Sequence, residues 1–83
     1  MKKIRRVLKD NQWIIELIID RINEKMYKEW NEKIYTRQNF QPTINNWARK
    51  TARIKNKLLI TEAINNILWT NYTVNDLEQE VED

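Results

Sequence analysis

The chain has no cysteine, no histidine, no glycine and no serine. Each absence closes a class of function. Without Cys there is no disulfide and no sign of an oxidising compartment. Without Cys or His the usual zinc sites are excluded. Without Gly there is no phosphate-cradling glycine-rich loop and no Asn-Gly hairpin. Without Ser, Cys or His the common nucleophile and base pairings are missing. Only carboxylates, Lys and Tyr remain for chemistry, so the chain reads as a non-enzyme with no catalytic residues, no cofactor and no metal. Proline occurs once, and turns must be built on Asn, Thr and Asp. No apolar run approaches the roughly 18 residues of a membrane span. The opening "MKKIRRVLKDNQWIIELIID" has the basic and apolar parts of a signal peptide. Lys9, Asp10, Asn11 and Gln12 separate those parts, Glu16 interrupts the apolar one, and no small-residue cleavage site comes after them. A cytoplasmic protein without membrane contact is expected.

What is present suffices for one small core. The 83 residues make a single domain, 1–83. A domain of this size buries roughly 60% of its unfolded surface, so its elements must pack efficiently or it must oligomerise. With 41% hydrophobic residues, four of them Trp, it is not a disordered chain. The surplus of Ile, Asn and Lys resembles an AT-rich coding sequence of the kind found in phages and plasmids.

The net charge of +3 hides segregation. Residues 1–9 carry five bases and no acid, and residues 37–60 carry six bases and no acid. Residues 61–83 carry six acids and no base. Such blocks suggest a basic surface for an anionic partner and an acidic tail.

Periodicity argues for helices throughout. Ile4, Val7 and Leu8 share one side of a short basic turn, 2–9. Asp10 is placed to cap the next helix. Ile15, Ile18, Ile19, Ile22, Met26 and Trp30 form a stripe on a long helix of about 11–36. Its start, "WIIELII", also suits a buried strand, but "DRINEKMYKEWNEKIY" continues the helical period unbroken. Pro42 disfavours helix at Gln41, and Thr43 is then an N-cap for a helix opening at Ile44. Ile44, Trp47, Thr51, Ile54 and Leu58 lie on one face of it. Ile60, Ile64, Ile67 and Leu68 fall roughly 140–160° away on the same helix, which predicts a break near 57–61 with Thr61 capping a new one. Thr73 and Asp76 resemble a capping box opening a last short helix. The acidic tail, 78–83, is expected to fray. The expected architecture is all-α: a bundle of four to five helices, the long one packed on a C-terminal three-helix unit.

The candidate site is the basic helix. Arg49, Arg53 and Lys57 recur every four residues with Lys50 beside them, so their charged ends line one ridge. Such a ridge neutralises phosphates without much sequence preference. Lys2, Lys3, Arg5 and Arg6 are auxiliary contacts, and Arg37 extends the set. Phe40, Tyr35 or Tyr72 suit base stacking if exposed, and Asn45, Asn46 and Asn56 suit base edges. The bland alternative is a solvated helix face, since Lys and Arg are good helix formers. Trp47 belongs to the core by its face. Glu16, Asp20 and Glu24 form a carboxylate ladder able to hold Mg²⁺, but a solvated face interleaved with Arg21 and Lys28 accounts for it.

Residues 44–77 carry a resemblance. Trp47, then Arg53-Ile54, then a turn, then "TEAINNILW" ending at Trp69, then "NYTVNDL" with Leu77, resembles a helical segment of phage and plasmid DNA replication initiator proteins. The Gly often seen in the first turn of that pattern is absent, as is an aromatic just before Trp69. The resemblance implies a role in DNA replication, through binding DNA or docking a replication protein, without catalysis. The leading expectation is a small nucleic-acid-binding accessory protein of a phage or plasmid, acting in replication or transcription on DNA rather than RNA. The rival is a protein-binding inhibitor or adaptor aimed at a host enzyme, working through aromatic faces and the acidic tail. The apolar surface from Trp13 to Ile19 makes a homodimer plausible under either.

Overall fold

The computed structural model describes residues 1–30, 35–47 and 53–82. Among the described residues five helices occur in order: α1 (Lys3–Asp10), α2 (Ile14–Trp30), α3 (Arg37–Asn45), α4 (Ile54–Leu68) and α5 (Val74–Glu78). Among the described residues there is no strand, only an isolated antiparallel bridge between Lys2 and Glu80. The expected all-α bundle is what forms.

The helix α1 buries Ile4, Val7 and Leu8, the three residues its spacing puts on one side. It stops at Asp10, and Asn11 Nδ2 turns back to donate to the Val7 carbonyl at 2.9 Å. Asp10 therefore ends α1, where it accepts from Arg6 at 3.0 Å, rather than capping α2. The "WIIELII" run is helical from Ile14 onward. Ile14, Ile18, Ile19, Ile22 and Met26 enter the core, while Trp13 and Leu17 stay outside. The expected long helix of 11–36 is shorter, because residues 11–13 are a turn and Tyr35 and Thr36 lie outside any helix, Thr36 with extended backbone. Asn23 holds that segment against α2. Its amide donates to the Tyr35 carbonyl at 2.7 Å and accepts from the Tyr35 N–H at 2.9 Å.

Pro42 does not start a helix; it lies inside α3. The cap is Thr36, in a reciprocal capping box with Asn39, and Thr43 donates its hydroxyl to the Asn39 carbonyl instead of capping. A proline in a helix interior costs about 3 kcal/mol. Phe40 and Ile44, one turn apart, are both fully buried, and burying each contributes roughly 1.5–3 kcal/mol. Their sum outweighs the proline. Trp47 enters the core as well, at 1% exposure, and Tyr35 meets Phe40 edge-on with centroids 5.7 Å apart.

The break expected near 57–61 does not occur. The α4 helix runs unbroken through Thr61, which is buried in mid-helix beside Lys57, Ile60, Ala63 and Ile64. The conflict between its two apolar stripes is resolved by exposure: Ile54 and Leu58, from the first stripe, remain 61% and 54% exposed. Trp69 then takes a left-handed conformation (φ 58°, ψ 44°) and ends the helix. Asn65 organises the turn beyond. Its amide donates to the Tyr72 carbonyl at 2.9 Å, and its oxygen accepts from the Tyr72 N–H at 2.9 Å and the Thr70 hydroxyl at 2.8 Å. The Thr73–Asp76 capping box opens α5 as its residues predict, and Leu77 plugs the core.

The α2 helix packs chiefly on α4 and also meets α3; α1 lies against α3 and α5, and α5 also touches α4. The tail does not fray through Glu82. Lys3 N–H donates to the Gln79 carbonyl at 2.8 Å, Val81 N–H to the Met1 carbonyl at 2.9 Å, and Arg6 Nη1 to the Glu82 carbonyl at 2.7 Å. The first and last described segments are thus laced together.

Candidate nucleic-acid interface

The structure redistributes the predicted phosphate contacts. Arg49 and Lys50 lie outside the described residues. Arg53 stands exposed at the N-cap of α4, where the helix dipole disfavours a cation. Lys57 is not on an open ridge. It is 8% exposed, and its ammonium meets Glu78 Oε1 at 2.8 Å, tying α4 to α5. Lys2 pairs with Glu80 at 2.9 Å, and Lys3 sits 4.8 Å above the Tyr72 ring. Arg6 is shared between Asp10 and the Glu82 carbonyl. Only Arg5 of the N-terminal cluster is exposed and without an ion-pair partner among the described residues.

A different set comes together instead. Arg5 and Lys9 are one turn apart on α1, and Arg37 opens α3 across from them. These three bases line a groove of about 360 Å³, with Gln12 and Gln41 at its sides. Leu8, Ile15 and Ile44 line its apolar part. No carboxylate lines it. Arg37 is also engaged by Glu16 on α2, which fixes its position at the edge of the groove. Lys9, like Arg5, has no ion-pair partner among the described residues. The Arg5–Lys9 spacing was readable as an i, i+4 pair on the flank of α1 nearest Leu8. That Arg37 joins them was not, because it depends on how α1 and α3 pack.

The structure withdraws most of the other sequence candidates. Phe40 and Tyr35 are buried and unavailable for base stacking, and Tyr72 is half-buried under Lys3. Asn45 is engaged with Gln41 Nε2 at 3.1 Å. In the acidic ladder, Glu16 is taken by Arg37 and Glu24 by Lys28. Among the described residues no three potential metal ligands converge, and no helix is long and apolar enough to cross a membrane.

No family model, no curated protein and no solved structure matches the chain.

The acids of the tail respond to what they hold. Hydrogen bonds from Lys2 and from the N-terminal ammonium lower the Glu80 carboxyl below its ordinary value. The Thr73 backbone N–H, and then its side chain, do the same for Asp76. The Glu80 bonds and the Arg6 bond to the Glu82 carbonyl engage Lys2 and Arg6 and leave Arg5 and Lys9 to line the groove.

Proposed function

We propose that the protein is a small nucleic-acid-binding accessory factor of a phage or plasmid, acting on DNA in replication or transcription in the cytoplasm. The observation that carries this reading is the groove of Arg5, Lys9 and Arg37, which gathers three bases from two helices and no carboxylate. Within it Arg5 and Lys9 have no ion-pair partner among the described residues, whereas Lys2, Lys25, Lys28 and Lys57 are neutralised by the chain's own acids. Two unneutralised bases one helical turn apart, with a third beside them, are arranged for an anion. The resemblance of residues 44–77 to replication initiator segments supports the same assignment. Arg49, Lys50 and Arg53 extend the contact if their segment lies along the same strand.

The reading is tested by measuring affinity for DNA across a salt series. Three neutralised phosphates give a slope of log K against log salt of about −2 on single strands and about −2.7 on duplex. Arg5→Glu/Lys9→Glu should flatten the slope and weaken binding at least 10-fold at low salt. Arg49→Glu/Arg53→Glu reports the share of the second basic segment. If the protein ignores DNA at low salt, the reading fails.

One observation favours a second reading, a protein-binding inhibitor or adaptor. Trp13 is 62% exposed and Leu17, one turn on, is 45% exposed. Exposed Trp residues are enriched at the energetic centres of protein interfaces. A partner helix or a second copy of the chain would cover this patch. Sedimentation of the wild type against Trp13→Ser/Leu17→Ser distinguishes a homodimer from a monomer awaiting another partner.

A further inference from the structure

We infer that the Arg5–Lys9–Arg37 groove receives an unpaired base together with its flanking phosphates, so that the ligand is single-stranded DNA rather than duplex. This rests on the nucleic-acid reading above and adds the strand type. A duplex presents its phosphates on a convex surface and hides its base faces in the stack. A protein meets it through a basic ridge that enters a groove or follows its backbone, the arrangement the sequence suggested for Arg49, Arg53 and Lys57. The structure puts Lys57 inside the protein, paired to Glu78. Arg5 and Lys9, without ion-pair partners among the described residues, instead rim a concavity of about 360 Å³ together with Arg37, which Glu16 holds.

The lining of that concavity fits a nucleotide. Ile15, half-buried, supplies apolar surface against which a base face can lie, over a floor of the buried Leu8 and Ile44. Gln12 and Gln41 supply amides at its sides. Gln41 donates to Asn45 at 3.1 Å, which fixes its amide and leaves the carbonyl oxygen as an acceptor. An amide offers a donor and an acceptor to the edge of an unpaired base, and that edge is exposed only when the strand is single. Arg5, Lys9 and Arg37 then meet the phosphates on either side of the base. Trp13 comes directly after Gln12 in the same turn and is exposed, so its indole is free for a neighbouring base to stack on.

The experiment compares fluorescence anisotropy of an oligonucleotide of about 12 nucleotides, single-stranded and annealed to its complement, at one salt concentration. The wild type should hold the single strand about 10-fold more tightly than the duplex. Gln12→Ala/Gln41→Ala, at exposed positions where circular dichroism should report an intact fold, should bring that ratio close to one. Trp13→Ala should weaken single-strand binding about 5-fold or more. Equal affinity of the wild type for both forms overturns the inference. So does a glutamine pair whose loss leaves the ratio intact while Arg5→Glu/Lys9→Glu abolishes binding to both forms; the groove is then a phosphate grip alone and the nucleic-acid reading stands. Absence of binding to either form overturns both readings together.

Discussion

Trp69 shows how a chain without glycine ends a helix. Its backbone sits in the left-handed region, at φ 58°, a conformation that costs a residue bearing a Cβ roughly 1–2 kcal/mol. The indole recovers little by packing, since it is 92% exposed. The cost is tolerated because Asn65, four residues earlier, holds the chain on the far side of the turn with three hydrogen bonds. Asn23 does the same after α2. Trp69→Gly should relieve the strain but loosen the unfolded chain, a net gain of between about 0 and 1 kcal/mol. Trp69→Val, β-branched, should lose about 1 kcal/mol at the same position. Urea unfolding of the two variants checks this. A loss of stability in the glycine variant would mean that the indole holds something in solution that its exposure does not reveal.

At the scale of elements, the part-buried pair of Lys57 and Glu78 ties α5 to α4 beside the buried Leu77. Lys57 is surrounded by core residues of α4, and its side chain is 11% exposed against 29% for Glu78. Removing one member of such a pair leaves the other's charge poorly solvated, so Lys57→Ala should cost about 2–3 kcal/mol. Lys57→Met keeps the stem and should cost less only if Glu78→Gln is made with it, since then no unpaired charge remains. A double-mutant cycle by chemical denaturation measures the coupling; additivity of the two single changes would show that the pair is not closed in solution. The same element marks what the sequence discloses and what it withholds. Helical periodicity disclosed the all-α class, the burial of Ile4, Val7 and Leu8, and the Thr73–Asp76 box, because each is set within one or two turns. It misplaced the breaks. Pro42 reads as a break before a helix capped by Thr43 when only the local backbone is weighed, and the burial of Phe40 and Ile44 overrides it. Thr61 reads as a cap when two stripes on one helix demand a break, and α4 instead leaves Ile54 and Leu58 in water. The site was half legible for the same reason. Arg5 was named and Arg37 noted, but Lys57 lost its place on the ridge to a partner 21 residues away.

The whole molecule is closed by its charge blocks. The basic start and acidic end, far apart in sequence, meet where Glu80 holds Lys2 and the backbone of residues 79–81 runs against residues 1–3. This closure sorts the bases of α1: Lys2 and Arg6 go to the tail, and Arg5 and Lys9 are left for a ligand. The closure should therefore carry a signature in acid. Glu80, which makes the closure, has its carboxyl lowered in the folded state by Lys2 and the N-terminal ammonium. A lowered folded pKa means that the contribution is complete above the unfolded value and is lost as pH falls through the folded one. Protection of the Lys3 and Val81 amides, which bond to Gln79 and Met1, should thus persist through the range where ordinary carboxylates titrate and fail below it. In Glu80→Gln the same amides should exchange faster already at neutral pH. Added salt should speed them in the wild type, because an exposed pair is screened. Amide exchange measured by NMR from neutral to acidic pH reads all three. If wild-type protection were unchanged through the whole acid range, the tail would be held by its backbone contacts alone, and Lys2 would be as open to an anion as Arg5 and Lys9.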